Sequence, residues 1–289
     1  MEFANNFFTK KVTTILSWSI IIRIYNLFLK YFFTIIRTIL LLTVVSIGII
    51  IGILLRIVIV FSGKWRFIQI NTKYVVRWTS KILLAICGVK IRGSHNFNIS
   101  SSIIVSNHWG YLDSLILMAF SSCLVISNVD VEKMPIVGKI MMSMGFVFVD
   151  RNRNKTIPYI IEKATDIIKH TNVNIAFFPE GATGDGFKLN RFKSSFFELA
   201  YTTKGNVVPV VIRVKSINGK VPNKYTINQV VFHNTSESII KHILKLLQLK
   251  SIEISVVDLP QISYYDITSK KLSRKDICKI AEDKISDYI

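Results

Sequence analysis

From Thr38 to Leu55 the chain runs 18 residues without a charged side chain, and beyond it only Arg56 interrupts the apolar run to Phe61. Wound as a helix at about 1.5 Å per residue, that run is roughly 27 Å long, close to the hydrocarbon thickness of a bilayer. A helix of that length with no polar face cannot be covered by a small domain, so the sequence predicts a hydrophobic anchor helix over about 38–61. No small-residue cleavage site follows a short apolar core, which makes it a retained anchor rather than a removable signal. The preceding Val12–Ile36 is apolar too, but Arg23, Lys30 and Arg37 recur every seven residues along one helical stripe. That pattern fits an in-plane basic helix over about 12–36 with its cations toward anionic lipid, or else a second span with snorkelling ends. Lys10 and Lys11 precede the region, and Lys64, Arg66, Lys73 and Arg77 follow it. Both flanks therefore favour the cytoplasmic side, as a hairpin or monotopic pair requires. Residues 1–78 are read as the membrane anchor and 79–289 as the catalytic domain.

The rest of the chain alternates strand-length and helical patterns without repeats. Ser102–Val105, Val173–Phe178, Val207–Ile212, Ile227–Phe232 and Ile252–Val257 are short apolar runs that predict strands. Ile157, Ile160, Ile161, Ala164, Ile167 and Ile168 follow helical spacing, with Pro158 tolerated near the start. Phe192, Phe196, Leu199 and Ala200 mark a helix that Gly205 is expected to close. Ser273 with Asp276 three positions later opens a last helix, Ile277–Ile289. The alternation predicts an α/β fold, a mixed and largely parallel sheet flanked by helices, with the functional site at strand ends.

Charge and composition narrow the function classes. Lys and Arg outnumber Asp and Glu by 37 to 18, a formal charge of +19. The basic residues are scattered and form no nucleic-acid motif, so no nucleic-acid partner is expected. Beside a hydrophobic anchor, the excess of cations suits anionic membrane lipid and acidic substrates. Cys87, Cys123 and Cys278 have no metal spacing and fit a reducing compartment. His95, His170, His233 and His242 lack partners at ligand spacing, and no metal is expected.

One histidine stands apart, in Ser106-Asn107-His108-Trp109-Gly110-Tyr111-Leu112-Asp113. Residues five apart on a helix lie about 140° out of phase, so His108 and Asp113 can meet only across a turn. A buried strand before the motif and the helical pattern of Asp113–Met118 after it place His108 in a strand-to-helix loop and Asp113 in the first helical turn. There the carboxylate can fix the imidazole tautomer and favour the imidazolium. This is the division of labour of a serine-protease triad without its serine, so the nucleophile would be a substrate hydroxyl.

Four further blocks follow in order: Glu132–Gly138, Gly145–Arg151, Phe177–Thr183 and Val207–Val211. With the His108 motif they resemble the successive motifs of the lysophospholipid acyltransferase family, over roughly residues 80 to 260. The resemblance implies that His108 is the catalytic base and Asp113 its partner, and that Arg151 meets an acceptor phosphate. It also places Glu180 and Gly181 at a tight turn beside the pair, where backbone N–H groups are candidate oxyanion donors. The family motif continues Glu-Gly-Thr-Arg, whereas this chain has Glu180-Gly181-Ala182-Thr183, so one expected cation is missing and Lys193 is the candidate replacement. The implied activity is a membrane-bound O-acyltransferase that moves a fatty acyl group from acyl-CoA or acyl carrier protein to a lysolipid hydroxyl, with no cofactor. Acylation of 1-acylglycerol-3-phosphate to phosphatidate, in phospholipid biosynthesis, leads. Lyso-ornithine lipid or another lysophospholipid is the alternative acceptor, and a non-catalytic lipid-binding protein of the membrane surface the alternative of another class. The implied place is the cytoplasmic face of a membrane, the inner one if the source is bacterial.

Overall fold

The computed structural model describes residues 2–58, 63–93, 99–128, 138, 147–149, 156–233 and 236–289. Arg151, His95 and the residues of the block 132–137 lie outside them. Among the described residues, seven strands form one sheet: β1 (Val89–Arg92), β2 (Ile103–Ser106), β3 (Cys123–Asn128), β4 (Val147–Val149), β5 (Asn174–Phe177), β6 (Val207–Ile217) and β7 (Ile252–Asp258). Their order is β1-β7-β6-β2-β5-β3-β4, and every neighbouring pair is parallel except β6 with β7. The sheet is therefore mixed and largely parallel, as the alternating pattern predicts.

The central strands are apolar throughout because both faces are covered. Along β2 the side chains alternate between two cores, Ile104 entering one and Ile103 and Val105 the other. The first core is closed by α3 (Arg77–Ile86), α4 (Tyr111–Phe120) and α7 (Ile239–Leu246). The second is closed by α5 (Thr156–Thr171), α6 (Leu199–Thr203), α8 (Tyr264–Ser269) and α9 (Arg274–Ser286). At the start of α9 the Ser273 hydroxyl takes the Asp276 N–H while the Asp276 carboxylate takes the Ser273 N–H, a reciprocal cap.

Two local expectations are corrected. Residues 227–232 are not a strand. Ile227–Gln229 is a single 3-10 turn held by Asn223 and Thr226, and Ile227, Val230 and Val231 are apolar because this loop plugs the first core. The helix after Phe192 starts later and more tightly than its spacing suggests, as a 3-10 turn over Ser195–Glu198 that runs into α6. It closes on Lys204, which takes the left-handed conformation (φ 54°) one residue before Gly205.

The N-terminal region differs more. Residues on both sides of Arg37 belong to one helix, α1 (Glu2–Val58), followed by α2 (Lys64–Ile70) and a π-helical turn, Asn71–Val76, that leads into α3. Thr34, Arg37, Thr38, Leu41, Val45, Gly48, Gly52 and Leu55 form a buried to half-buried stripe at helical spacing along α1. A Cβ on Gly48 would lie 2.9 Å from the Thr79 hydroxyl, so its absence lets α1 approach α3 closely, while Gly52 faces Asn71 of the π-helical turn with ordinary clearance. Arg37 is not a lipid-facing member of the basic stripe. Its guanidinium donates to the carbonyls of Leu247 (3.0 Å) and Leu249, at the C-terminal end of α7.

Candidate active site

β2 and β5 are parallel neighbours, with Ile104 opposite Ala176, so their C-terminal ends release two loops side by side. The first, Asn107–Gly110, is pinned at its start. The Asn107 side chain donates to the Ile212 carbonyl (2.8 Å) and accepts from its N–H (2.9 Å), an amide pair that docks the loop on β6. The chain then turns into α4, where Asp113 occupies the third helical position.

Asp113 is buried, and its Oδ2 accepts from His108 Nδ1 at 3.0 Å, from Gly110 N–H at 2.8 Å and from Trp109 N–H. Taking the N–H of the residue before the helix is the carboxylate half of a capping box, so one side chain caps α4 and orients the imidazole. With Nδ1 donating to a carboxylate, the proton of the neutral ring is on Nδ1 and the lone pair is on Nε2. The ring is held across its face as well, stacked on Phe178 at 3.9 Å between centroids and 10° between planes. His108 is only partly buried, with 16% of its side chain exposed, so the ring is fixed yet open to a second molecule.

The second loop, after β5, fastens to the first through its backbone. Glu180 Oε1 accepts from His108 N–H (2.7 Å) and Oε2 from Asn190 N–H (2.9 Å), while Gly184 N–H donates to the His108 carbonyl (2.7 Å). Burial pushes the Glu180 carboxyl up to about 7, against the pull of the Asn190 and His108 N–H groups, and the nearby Asp113 raises it a little further. Gly181 has φ 76°, a left-handed turn that glycine alone takes without cost, and a Cβ there would lie 2.8 Å from Lys193 Nζ. The Lys193 side chain is thereby laid across the turn, and its backbone N–H is held by the Pro179 carbonyl (2.9 Å). The Gly181 N–H, expected to face an oxyanion, is taken by the Phe178 carbonyl instead (3.2 Å). Thr183, at the position of the absent arginine, gives its carbonyl to His233 Nδ1.

The structure thus brings His108, Asp113, Glu180, Gly181 and Lys193 together. Asn107, Phe178 and Asn190 join them, as does His233, for which the sequence offers no partner; of these, only Asn107 and Phe178 stand inside the motif blocks. Among the described residues no group of three His, Cys, Asp or Glu side chains is placed to hold a metal ion. All three cysteines are buried and free. Burial pushes Cys87 and Cys123 up to about 12 and Cys278 up to about 11, so none offers a thiolate near neutral pH.

Residues 88–213 match the family model described as Acyltransferase. The chain is 28% identical over 118 residues to the 1-acyl-sn-glycerol-3-phosphate acyltransferase of Neisseria gonorrhoeae, covering 41% of this chain and 46% of that protein. It is 22% identical over 221 residues to the lyso-ornithine lipid O-acyltransferase of Rhizobium meliloti (strain 1021), covering 74% of each. The match thus spans less than half the length of the first relative and about three quarters of the second. In fold the chain is similar to a crystal structure of the 1-acyl-sn-glycerophosphate acyltransferase PlsC from Thermotoga maritima. The TM-score is 0.57 at 18% identity, over 92% of this chain and 97% of that one.

Proposed function

We propose that this chain, whose residues 88–213 match the family model described as Acyltransferase, is a membrane-bound O-acyltransferase whose acceptor is a lysolipid. The observation that carries the reading is the His108 ring, oriented by Asp113 on one edge and Phe178 on one face, an arrangement that leaves Nε2 of the neutral ring free to accept a proton. Nε2 takes the proton of the acceptor hydroxyl as its oxygen attacks the carbonyl carbon of an acyl thioester, donated by acyl-CoA or acyl carrier protein. The tetrahedral intermediate collapses by breaking the C–S bond, and the thiolate leaves with the proton returned by the imidazolium. The ester forms without an acyl-enzyme, because the nucleophile belongs to the substrate.

1-Acylglycerol-3-phosphate, giving phosphatidate, is the leading acceptor. Lys193, lying across Gly181, offers the cation that the Ala182-Thr183 pair lacks, and Arg151 is the proposed second phosphate partner. A lyso-ornithine lipid is the second reading, favoured by the replaced arginine and by the longer match to the Rhizobium protein. Membrane association rests on α1, whose segment Ile20–Val58 has mean hydropathy 2.9 over its most apolar window and an exposed apolar face. The proposed place of the catalytic domain is the cytoplasmic face.

The test is thiol release from acyl-CoA and acyl carrier protein by detergent-purified protein, across lysophosphatidate, zwitterionic lysophospholipids and lyso-ornithine lipid. We predict acceptor-dependent release that His108→Ala abolishes without loss of folding. Release that persists in His108→Ala removes the mechanism, and release with lyso-ornithine lipid alone replaces the acceptor. No release with either donor leaves the non-catalytic, lipid-binding reading.

A further inference from the structure

α7 stands between the N-terminal helix and the first turn of α4, and it is bonded to both. Just past its C-terminal end, in the turn that closes the helix, Arg37 of α1 donates to the carbonyls of Leu247 and Leu249, and its charge also opposes the negative end of the helix dipole. From the middle of α7, His242 points inward and is 2% exposed. Its Nε2 lies 3.0 Å from the Asn228 carbonyl, which can only accept, so the proton is on Nε2. Nδ1 lies 2.9 Å from the Tyr111 hydroxyl. Burial disfavours the charged ring, so His242 is a neutral joint whose Nδ1 accepts from that hydroxyl, and both ring nitrogens are used. Tyr111 is the first residue of α4, two before Asp113. Phe232 packs against both rings and donates its N–H to the Trp109 carbonyl (2.9 Å).

We infer that α7 is a strut by which the N-terminal helix holds the His108–Asp113 pair in place: Arg37 fixes its C-terminal end, and His242 fixes the first turn of α4 through Tyr111. Tyr111 and His242 are positioning residues, which act on the pair by holding the turn that carries Asp113. The consequence is that the pair is fully ordered only while α1 is docked. The inference deepens the proposed function, yet its first test is independent of it.

The test is amide hydrogen exchange on the full chain in detergent micelles, following 107–115 and 239–249. Arg37→Gln is expected to speed exchange in both segments by about three- to tenfold, the worth of a hydrogen bond or two. Tyr111→Phe is expected to speed 107–115, and the double variant to exceed Arg37→Gln only slightly because both break one path. Arg37→Lys, which keeps a donor, should restore part of the protection, and Arg23→Gln on the same helix should change neither segment. Exchange at 107–115 unchanged in Arg37→Gln, or fully additive effects, overturns the strut. In turnover, Tyr111→Phe should lower kcat by about tenfold or more with acceptor KM unchanged, since a misplaced base costs rate rather than binding; a KM effect alone overturns the positioning role. A wild-type protein that transfers no acyl group refutes the proposed function, while the exchange result still decides the strut.

Discussion

Glu180 bonds backbone on both sides, taking the N–H of His108 with one oxygen and that of Asn190 with the other. Two donors converging on one side chain require two acceptors, which a carboxylate has and an amide lacks. We predict that Glu180→Gln lowers kcat about tenfold or more in the thiol-release assay, and that a near-normal rate would show the two loops to be held otherwise. Its pH dependence has a definite sign. The carboxyl titrates near 7 in the folded chain against an ordinary 4.5, so between those values the folded form binds more protons than the unfolded one. Stability contributed by Glu180 is therefore present below about pH 4.5 and lost as pH rises to about 7. Thermal midpoints across that window should fall more steeply for the wild type than for Glu180→Gln; parallel curves would contradict the assignment. Asp113→Asn puts an amide where His108 and two backbone N–H groups need an acceptor. By analogy with protease triads it is expected to cost roughly 10³- to 10⁴-fold in kcat, and a loss under tenfold would remove Asp113 from the mechanism. His108 and Asp113 were legible because a five-residue spacing admits a contact only at a turn. The double use of Glu180 was not, since Asn190 is ten residues away and meets it only through the fold.

At the scale of elements, the sequence was most readable where a pattern had one physical solution. The buried runs of β2, β5 and the first half of β6 are strands because a parallel sheet covered on both faces wants apolar side chains on both, and the Ser273–Asp276 spacing admits a reciprocal cap and little else. Residues 227–232 were misread because an apolar run reports burial, not conformation. Ile227, Val230 and Val231 are buried by a loop that packs on the same core as the strands. The end of α6 was misplaced by one residue for a related reason. Glycine is the usual left-handed cap, yet here Lys204 adopts φ 54° and Gly205 does not need its freedom. That leaves a correctable cost, since a left-handed side chain carries about 1 to 2 kcal/mol and glycine gives back part of this in unfolded-chain entropy. We predict that Lys204→Gly stabilises the domain by about 0.5 kcal/mol, seen as a higher denaturation midpoint with turnover unaltered; a lower midpoint would mean that the lysine side chain is itself stabilising.

For the molecule as a whole, the proposed membrane association turns on how α1 would meet a bilayer. Its 57 residues extend roughly 85 Å as a helix, nearly three times a hydrocarbon core of about 30 Å. The stripe from Thr34 to Leu55 lies against the π-helical turn and α3, in which Lys73 and Lys81 sit over the rings of the exposed Tyr74 and Trp78. Aromatic rings paired with lysines belong at the headgroup level. Were α1 to cross the bilayer while docked, it would carry these cations inward at about 2.5 to 3.5 kcal/mol each near the centre. Lying in the plane of one leaflet, the same helix buries its outward face, Ile39, Leu42, Ile50 and Leu54 among it, and leaves the lysines at the interface. The discriminating quantity is depth: Ile39 and Ile50 are eleven residues apart, so in a crossing helix tryptophans placed there would differ in depth by about 16 Å. We predict that Ile39→Trp and Ile50→Trp, in vesicles containing anionic lipid, are quenched most strongly by phospholipids brominated at the same acyl position, and that quenching survives molar salt because apolar area rather than charge holds the helix. Maxima at opposite ends of the acyl chain would establish a crossing helix, and would require α1 to leave α3, and with it the Arg37 contact to α7, whenever the protein is in a membrane.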